Sequence, residues 1–202
     1  MATILFFTSV STVSQIQLEK TILDPSITLV QIDVTNCFEV VLETADVPEI
    51  QVAAQIEGEY SKDLELTVYE EGSTLMIGTG FRSNFINPND KLSAHKVVSI
   101  ALHIILPNGK NVAIFGTNSS VFASGDYSDL NIVLSDGLCE LQKVSTVVQV
   151  KTQSGDILLS TKSGEVKAHS KYGNVISDRI PKGDNQFILS TVTGNIEISK
   201  LK

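Results

Sequence analysis

Three histidines, two cysteines and a scatter of turn acids are the residues of this 202-residue chain that could do chemistry. His95, His103 and His169 are the candidate bases. Nucleophilic catalysis needs a Ser or Cys beside such a base, and a third group to orient it. No Gly-x-Ser-x-Gly elbow or other catalytic signature accompanies them. His103 alternates with Ser99, Ala101 and Ile105 on the less apolar side of its segment, and His169 sits between Ala168 and Ser170. Both read as structural or solvent-facing. Cys37 and Cys139 lie in apolar, strand-like contexts and read as buried thiols, which behave as small hydrophobes. Whether they pair stays open, because a disulfide depends on geometry that a sequence does not carry. There is no CxxC motif or His/Cys cluster, so no zinc site is expected.

The acids Asp126, Asp136, Asp156 and Glu165 recur at turns and could stack into a cation ladder, as in calcium-binding β-rolls. The paired glycines of those rolls are missing, and Asn174 and Asn195 take equivalent places, so turn chemistry accounts for these residues without a metal. No metal, no cofactor and no catalytic residue is therefore assigned. One long polar connection, Arg82–Lys96, breaks the pattern of short turns. Long loops in compact domains are often functional. Arg82, Asn84, Asn87, Asn89, Asp90, Lys91, His95 and Lys96 are accordingly the candidate binding residues, beside the alternative of a plain surface crossover.

The elements that must hold these residues are strands. Val98, Ile100, Leu102, Ile104 and Leu106 share one side of a segment closed by Pro107. Ile50, Val52, Ala54 and Ile56 repeat the alternation, as do Leu64, Leu66 and Val68, and Phe38, Val40 and Leu42. A period of two marks half-buried strands. Glu70-Glu71-Gly72-Ser73 reads as a hairpin turn. No window carries apolar residues at helical spacing, so the chain should be almost entirely β.

From about Asn108 the segments shorten and glycine recurs. One series is Gly116, Gly137, Gly155, Gly173 and Gly194, with intervals of 21, 18, 18 and 21 residues. A second, half a period away, is Gly125, Thr146, Gly164 and Gly183. Such a beat marks stacked units that cannot bury their own apolar side and must cover one another. Ile180-Pro181-Lys182-Gly183-Asp184 is the expected inserted loop.

Bulk composition narrows the function. The chain is 42% hydrophobic, enough for a sizeable core, and no stretch is apolar over the ~20 residues of a membrane helix. With a net charge of −8 and scattered Lys and Arg, it lacks the basic stripe of a nucleic-acid binder. The absence of Trp weakens any reading as a sugar cleft lined by stacked rings. Residues 1–14 run from Ile4-Leu5-Phe6-Phe7 to small residues ahead of Gln15, the pattern of a signal peptide, though without its positive charge. A first β-strand is the alternative there.

The segment Val97–Pro107 followed by Val112-Ala113-Ile114 resembles the strand-to-solenoid junction of the bacterial adhesin-like family of DUF4097/DUF2807 β-solenoid domains, in its Bacteroidetes versions. Ser154–Ile157, Ser163–Val166 and the closing Val192–Ile198 are similar to that family's turns. The resemblance implies an envelope-associated, right-handed β-helical domain without cofactor.

The resulting expectation is an all-β domain over residues 15–202, a right-handed parallel β-helix or solenoid with N-terminal extended strands and hairpins. Strands and hairpins would occupy 27–107 and solenoid coils 108–202, after a signal peptide at 1–14. The expected role is a non-enzymatic adhesin-like binding or scaffolding module, exported to the bacterial envelope or surface. Its partner would be a protein or glycan, with no nucleic acid and no direct membrane insertion, and with self-association through the solenoid ends. The alternatives are a polysaccharide-acting β-helix enzyme and a purely structural envelope protein.

Overall fold

A computed structural model describes residues 15–58, 61–83 and 98–201. The signal-peptide expectation for residues 1–14 falls outside them. The described residues form fifteen strands and one 3-10 turn, Ser61–Asp63, so the chain is all-β. The strands before the repeats are β1 (Gln15–Ile22), β2 (Leu29–Asp33), β3 (Glu39–Ala45), β4 (Ile50–Gly58), β5 (Leu64–Glu71), β6 (Thr74–Phe81) and β7 (Val98–Pro107). Then come β8 (Asn111–Asn118), β9 (Ser120–Asp136), β10 (Leu138–Thr152), β11 (Asp156–Thr161) and β12 (Glu165–Ser170). Last are β13 (Val175–Ser177), β14 (Gln186–Thr191) and β15 (Ile196–Lys200).

The alternating segments are buried on alternate residues, as in Val40 and Leu42, or Ile100, Leu102, Ile104 and Leu106. Phe38 departs from this. It precedes β3 and is 51% exposed. The β5–β6 hairpin turns at Gly72, whose φ of +63° suits the left-handed turn that glycine tolerates.

β9 and β10 are long because each bends from one face of the molecule to the other. Ser120–Ser124 of β9 pair with β3, while Asp129–Asp136 pair with β8. The first face runs β1-β4-β7-β3-β9-β10-β11-β15-β13. The second runs β5-β6-β2-β8-β9-β10-β14-β12. Their inward side chains form one continuous core. The sheet is mixed. β1–β4, β4–β7 and β5–β6 are antiparallel, and every other pairing is parallel. Parallel pairing is not confined to the region after Asn108, because β2 and β3 pair with β8 and β9.

The glycine register needs two corrections. At one corner a Cβ on Gly137 would overlap the Ser119 carbonyl, and one on Gly155 the Gly137 carbonyl. The column therefore begins at Ser119, eighteen residues before Gly137, and Gly116 stands outside it. Ser119 is tolerated there because its buried hydroxyl lies 2.7 Å from both the Val34 and Cys37 carbonyl oxygens. The second correction concerns order. Gly194 stacks on Gly155, and Gly173 on Gly194. The last circuit of the chain, β14 and β15, is inserted between its predecessors. β15 lies between β11 and β13, and β14 between β10 and β12. The connection 178–185, which holds the expected insertion, lets the chain double back.

In the second series Thr146 takes the place of a glycine with φ +81°, a left-handed conformation rare for a β-branched residue.

Candidate functional site

The first face presents flat rows of outward side chains. One row sets Ala53, His103, Val41, Phe122, Glu140 and Leu158 side by side across six strands. The adjacent row places Ile105 beside Glu43 and Ser124. Val41, Ile105 and Phe122 are half-buried although they point outward. They make an apolar stripe over β7, β3 and β9. Acids flank it: Glu39 and Glu43 on β3, Glu140 on β10, with Glu19 on β1 and Glu197 on β15 extending the first row to either side.

Two adjoining depressions share Val41 and Glu43. The larger, ≈ 410 Å³, is floored by the small side chains of Ala53 and Ala101 and edged by Glu39, Gln55 and His103. The smaller, ≈ 160 Å³, lies between Val41, Phe122, Glu140 and Gln142. Both are shallow openings on a strand surface. Sites that enclose a small molecule bury most of it in a cleft, whereas this surface offers contact over a wide area.

His103 Nε2 and Glu43 Oε2 are 3.0 Å apart, with both side chains about half exposed (48% and 47%). An exposed pair of this kind contributes little to stability. It is a base with an orienting carboxylate, and Glu43 is the partner recorded for His103 among the described residues. The two thiols are remote from nucleophilic chemistry. Both are buried and free. Burial pushes Cys37 up to about 11 and Cys139 to about 12, so neither forms the reactive thiolate readily. Tyr127 is also buried, at the bend of β9, and burial raises its pKa. Its hydroxyl lies 2.8 Å from the Ser124 carbonyl oxygen and 3.1 Å from that of Leu42, which fixes the bend.

Glycosidases place two carboxyls roughly 5–9.5 Å apart. Glu39 and Glu43 stand four residues apart on one strand, which at about 3.3 Å per residue separates their backbones by ~13 Å. The turn acids do not converge either. Asp136 accepts from the Gly137 N–H (2.8 Å), Asp156 from the Asn195 N–H (2.7 Å), Asp126 from the Ser145 hydroxyl, and Glu165 pairs with Lys167 (3.2 Å). Asn195 in turn accepts from the Asn174 N–H (3.0 Å), which continues a neutral ladder from Asp156. No group of three His, Cys, Asp or Glu side chains among the described residues is placed to hold a metal ion.

Of the loop residues singled out from sequence, Arg82 is described. It follows β6, is exposed, and donates its backbone N–H to Asp63 O at 2.8 Å. Asn84, Asn87, Asn89, Asp90, Lys91, His95 and Lys96 lie outside the described residues. The apolar stripe went unread in the sequence, although a signal was there. Val40-Val41-Leu42 and Ile104-Ile105-Leu106 put an apolar residue where alternation calls for a polar one.

No family model matches the chain, and no curated protein matches it. Solved structures do. A "putative cell adhesion protein" from Clostridium sporogenes superposes with a TM-score of 0.67 at 12% identity, over 93% of this chain and 100% of that one. A "putative adhesin" from Bacteroides fragilis gives 0.37 at 13% identity (93% and 98% covered). Another from Parabacteroides merdae gives 0.35 at 11% (92% and 96%). At such identities the first similarity speaks to fold, and the other two are too distant to carry an argument. No helix among the described residues is long and apolar enough to cross a membrane.

Proposed function

We propose that this chain is a non-enzymatic, adhesin-like binding module, and that the outer face of β7, β3, β9 and β10 is its contact surface. The observation that carries this reading is the apolar stripe of Ile105, Val41 and Phe122, level with the sheet and edged by Glu39, Glu43 and Glu140. Broad flat contact with an apolar centre and polar margin is the anatomy of a protein-binding surface. The name of the Clostridium sporogenes structure points the same way.

The parallel stack is read as the coils of a right-handed β-solenoid, and its setting as the bacterial envelope or surface, with a protein or glycan as partner. The residues Arg82–Lys96 would add a second contact.

The test is a glycan array and an envelope-protein pulldown with the full chain and two variants, Phe122→Ser and Glu43→Lys. Reproducible binding lost in both, with the melting temperature held, is the expected result. Binding that survives both, or no binding by the parent, overturns the assignment of this face.

A further inference from the structure

The stack ends on β12 and β13. Among the described residues β12 pairs with β14 alone, and β13 with β15 alone. The Glu165 N–H is directed to Asn185 O of the β14 side at 2.8 Å. Alternate amides of a strand point opposite ways, so those of Val166 and Ala168 point out of the stack. Pro181 O occupies the Gly164 N–H (2.9 Å), so the open run begins at Glu165. The inward side chains of this terminal circuit, β12 and β13, have nothing of equal quality above them. Val166 and Ala168 are half-buried, whereas their neighbours in register, Phe187 and Leu189, are 0% and 1% exposed. Tyr172, Val175 and Ile176 are 70%, 44% and 66% exposed. An open strand edge beside apolar side chains is a template for pairing with another chain.

We infer that this edge docks a second copy of the chain, tail to tail, with the two β12 strands antiparallel about a twofold axis at Ala168. Three observations select that occupant and register. First, centring on Ala168 uses the whole open run, whereas centring on Val166 would drive the partner strand onto Pro181. Second, it sets Glu165 opposite Lys171 of the second copy, and the twofold repeats the pair. Centring on Lys167 would instead oppose two like charges. Third, the tail is where two copies repel least. The chain carries −8 overall, but residues 165–185 hold four basic residues (Lys167, Lys171, Arg179, Lys182) against three acidic ones (Glu165, Asp178, Asp184). The opposite end, where the 3-10 turn holds the buried Ser61, carries Asp63, Glu65, Glu70 and Glu71.

Sedimentation of the full chain at roughly 100 µM, where even a small interface is populated, should show a closed dimer. Glu165→Lys should weaken it by about tenfold, and the swap Glu165→Lys with Lys171→Glu should restore it. In Ala168→Cys, mild oxidation should give a covalent dimer, while the buried Cys37 and Cys139 stay out of the reaction. A monomer with no Ala168→Cys crosslink overturns the inference. So does a dimer insensitive to Glu165→Lys, or an open-ended polymer, which would mean head-to-tail stacking. None of these outcomes bears on the contact face proposed above.

Discussion

The inserted circuit, β14 and β15, and the terminal circuit, β12 and β13, are built on one turn pattern. Gly194-Asn195-Ile196 opens β15 and Gly173-Asn174-Val175 opens β13. Their burial is opposite. Phe187, Leu189, Ile196 and Ile198 are between 0% and 3% exposed, whereas Val166 and Ala168 are half-buried and Val175 is 44% exposed. Position in the stack follows apolar content rather than chain order. Burying a Phe, Leu or Ile fully is worth about 1.5–3 kcal/mol relative to leaving it exposed. Exchanging the two circuits would put four such residues at the open end in place of two valines and an alanine. The doubling back costs a longer loop, and each doubling of loop length costs only ≈ 0.6 kcal/mol. Burial therefore decides the order.

The most severe test removes β14 and β15 by ending the chain at Asn185. In a stack laid down in chain order this would trim one end and leave β12 and β13 paired. Here it takes away the strands that β12 and β13 pair with and uncovers β10 and β11. Amide exchange should show β12 and β13 losing all protection, since they keep no neighbour. Continued protection of Lys167 and His169 would mean that β12 pairs elsewhere, and the inserted order would be wrong.

A gentler version compares register partners. Phe187→Ala should cost about 3–5 kcal/mol, because the side chain is fully enclosed and the site cannot collapse. Val166→Ala, its neighbour across the β12–β14 pair, should cost under about 1 kcal/mol, because the side chain is already half in water. Urea melts of the two variants would decide. Similar losses would mean that the terminal circuit is covered, as a strong dimer at the working concentration would cover it, and dilution would then separate the two explanations.

This comparison shows what the sequence could and could not convey. Alternation located Ile50, Val52, Ala54 and Ile56, and Ile100, Leu102, Ile104 and Leu106, all of which are buried. A period-two pattern states which side of a strand is apolar and nothing about which strand lies next to it. Offsets of 18, 21 and 39 residues bring equivalent turns together equally well, so chain order looked sufficient. The distinguishing signal was the stronger apolar content of Phe187-Ile188-Leu189 and Ile196-Glu197-Ile198 over Val166-Lys167-Ala168. Gly116 misled for another reason. The column needs a close backbone approach, and Ser119 meets it by turning its hydroxyl onto two carbonyls. The apolar stripe is not legible in any one segment, because it depends on registry across β7, β3 and β9, strands distant in sequence.

The finest test concerns what pins the inserted circuit in place. Asn185, just ahead of β14, reaches to both sides of it. Its Oδ1 accepts from the Thr146 N–H at 2.9 Å, on the β10 side, and its Nδ2 donates to Ser163 O at 3.4 Å, on the β12 side. The first bond falls on the residue held at φ +81°. Such a conformation costs of order 1–3 kcal/mol in a non-glycine residue and persists only where the surroundings enforce it. Asn185→Ala should therefore lower stability by about 1–2 kcal/mol, the worth of its two hydrogen bonds, since any relaxation of Thr146 would offset the loss and not add to it. Asn185→Asp keeps the acceptor and loses the donor, so it should retain most of the stability. If Asp fares as badly as Ala, the contact to Ser163 matters more than the one to Thr146, and the inserted circuit is held from the terminal side.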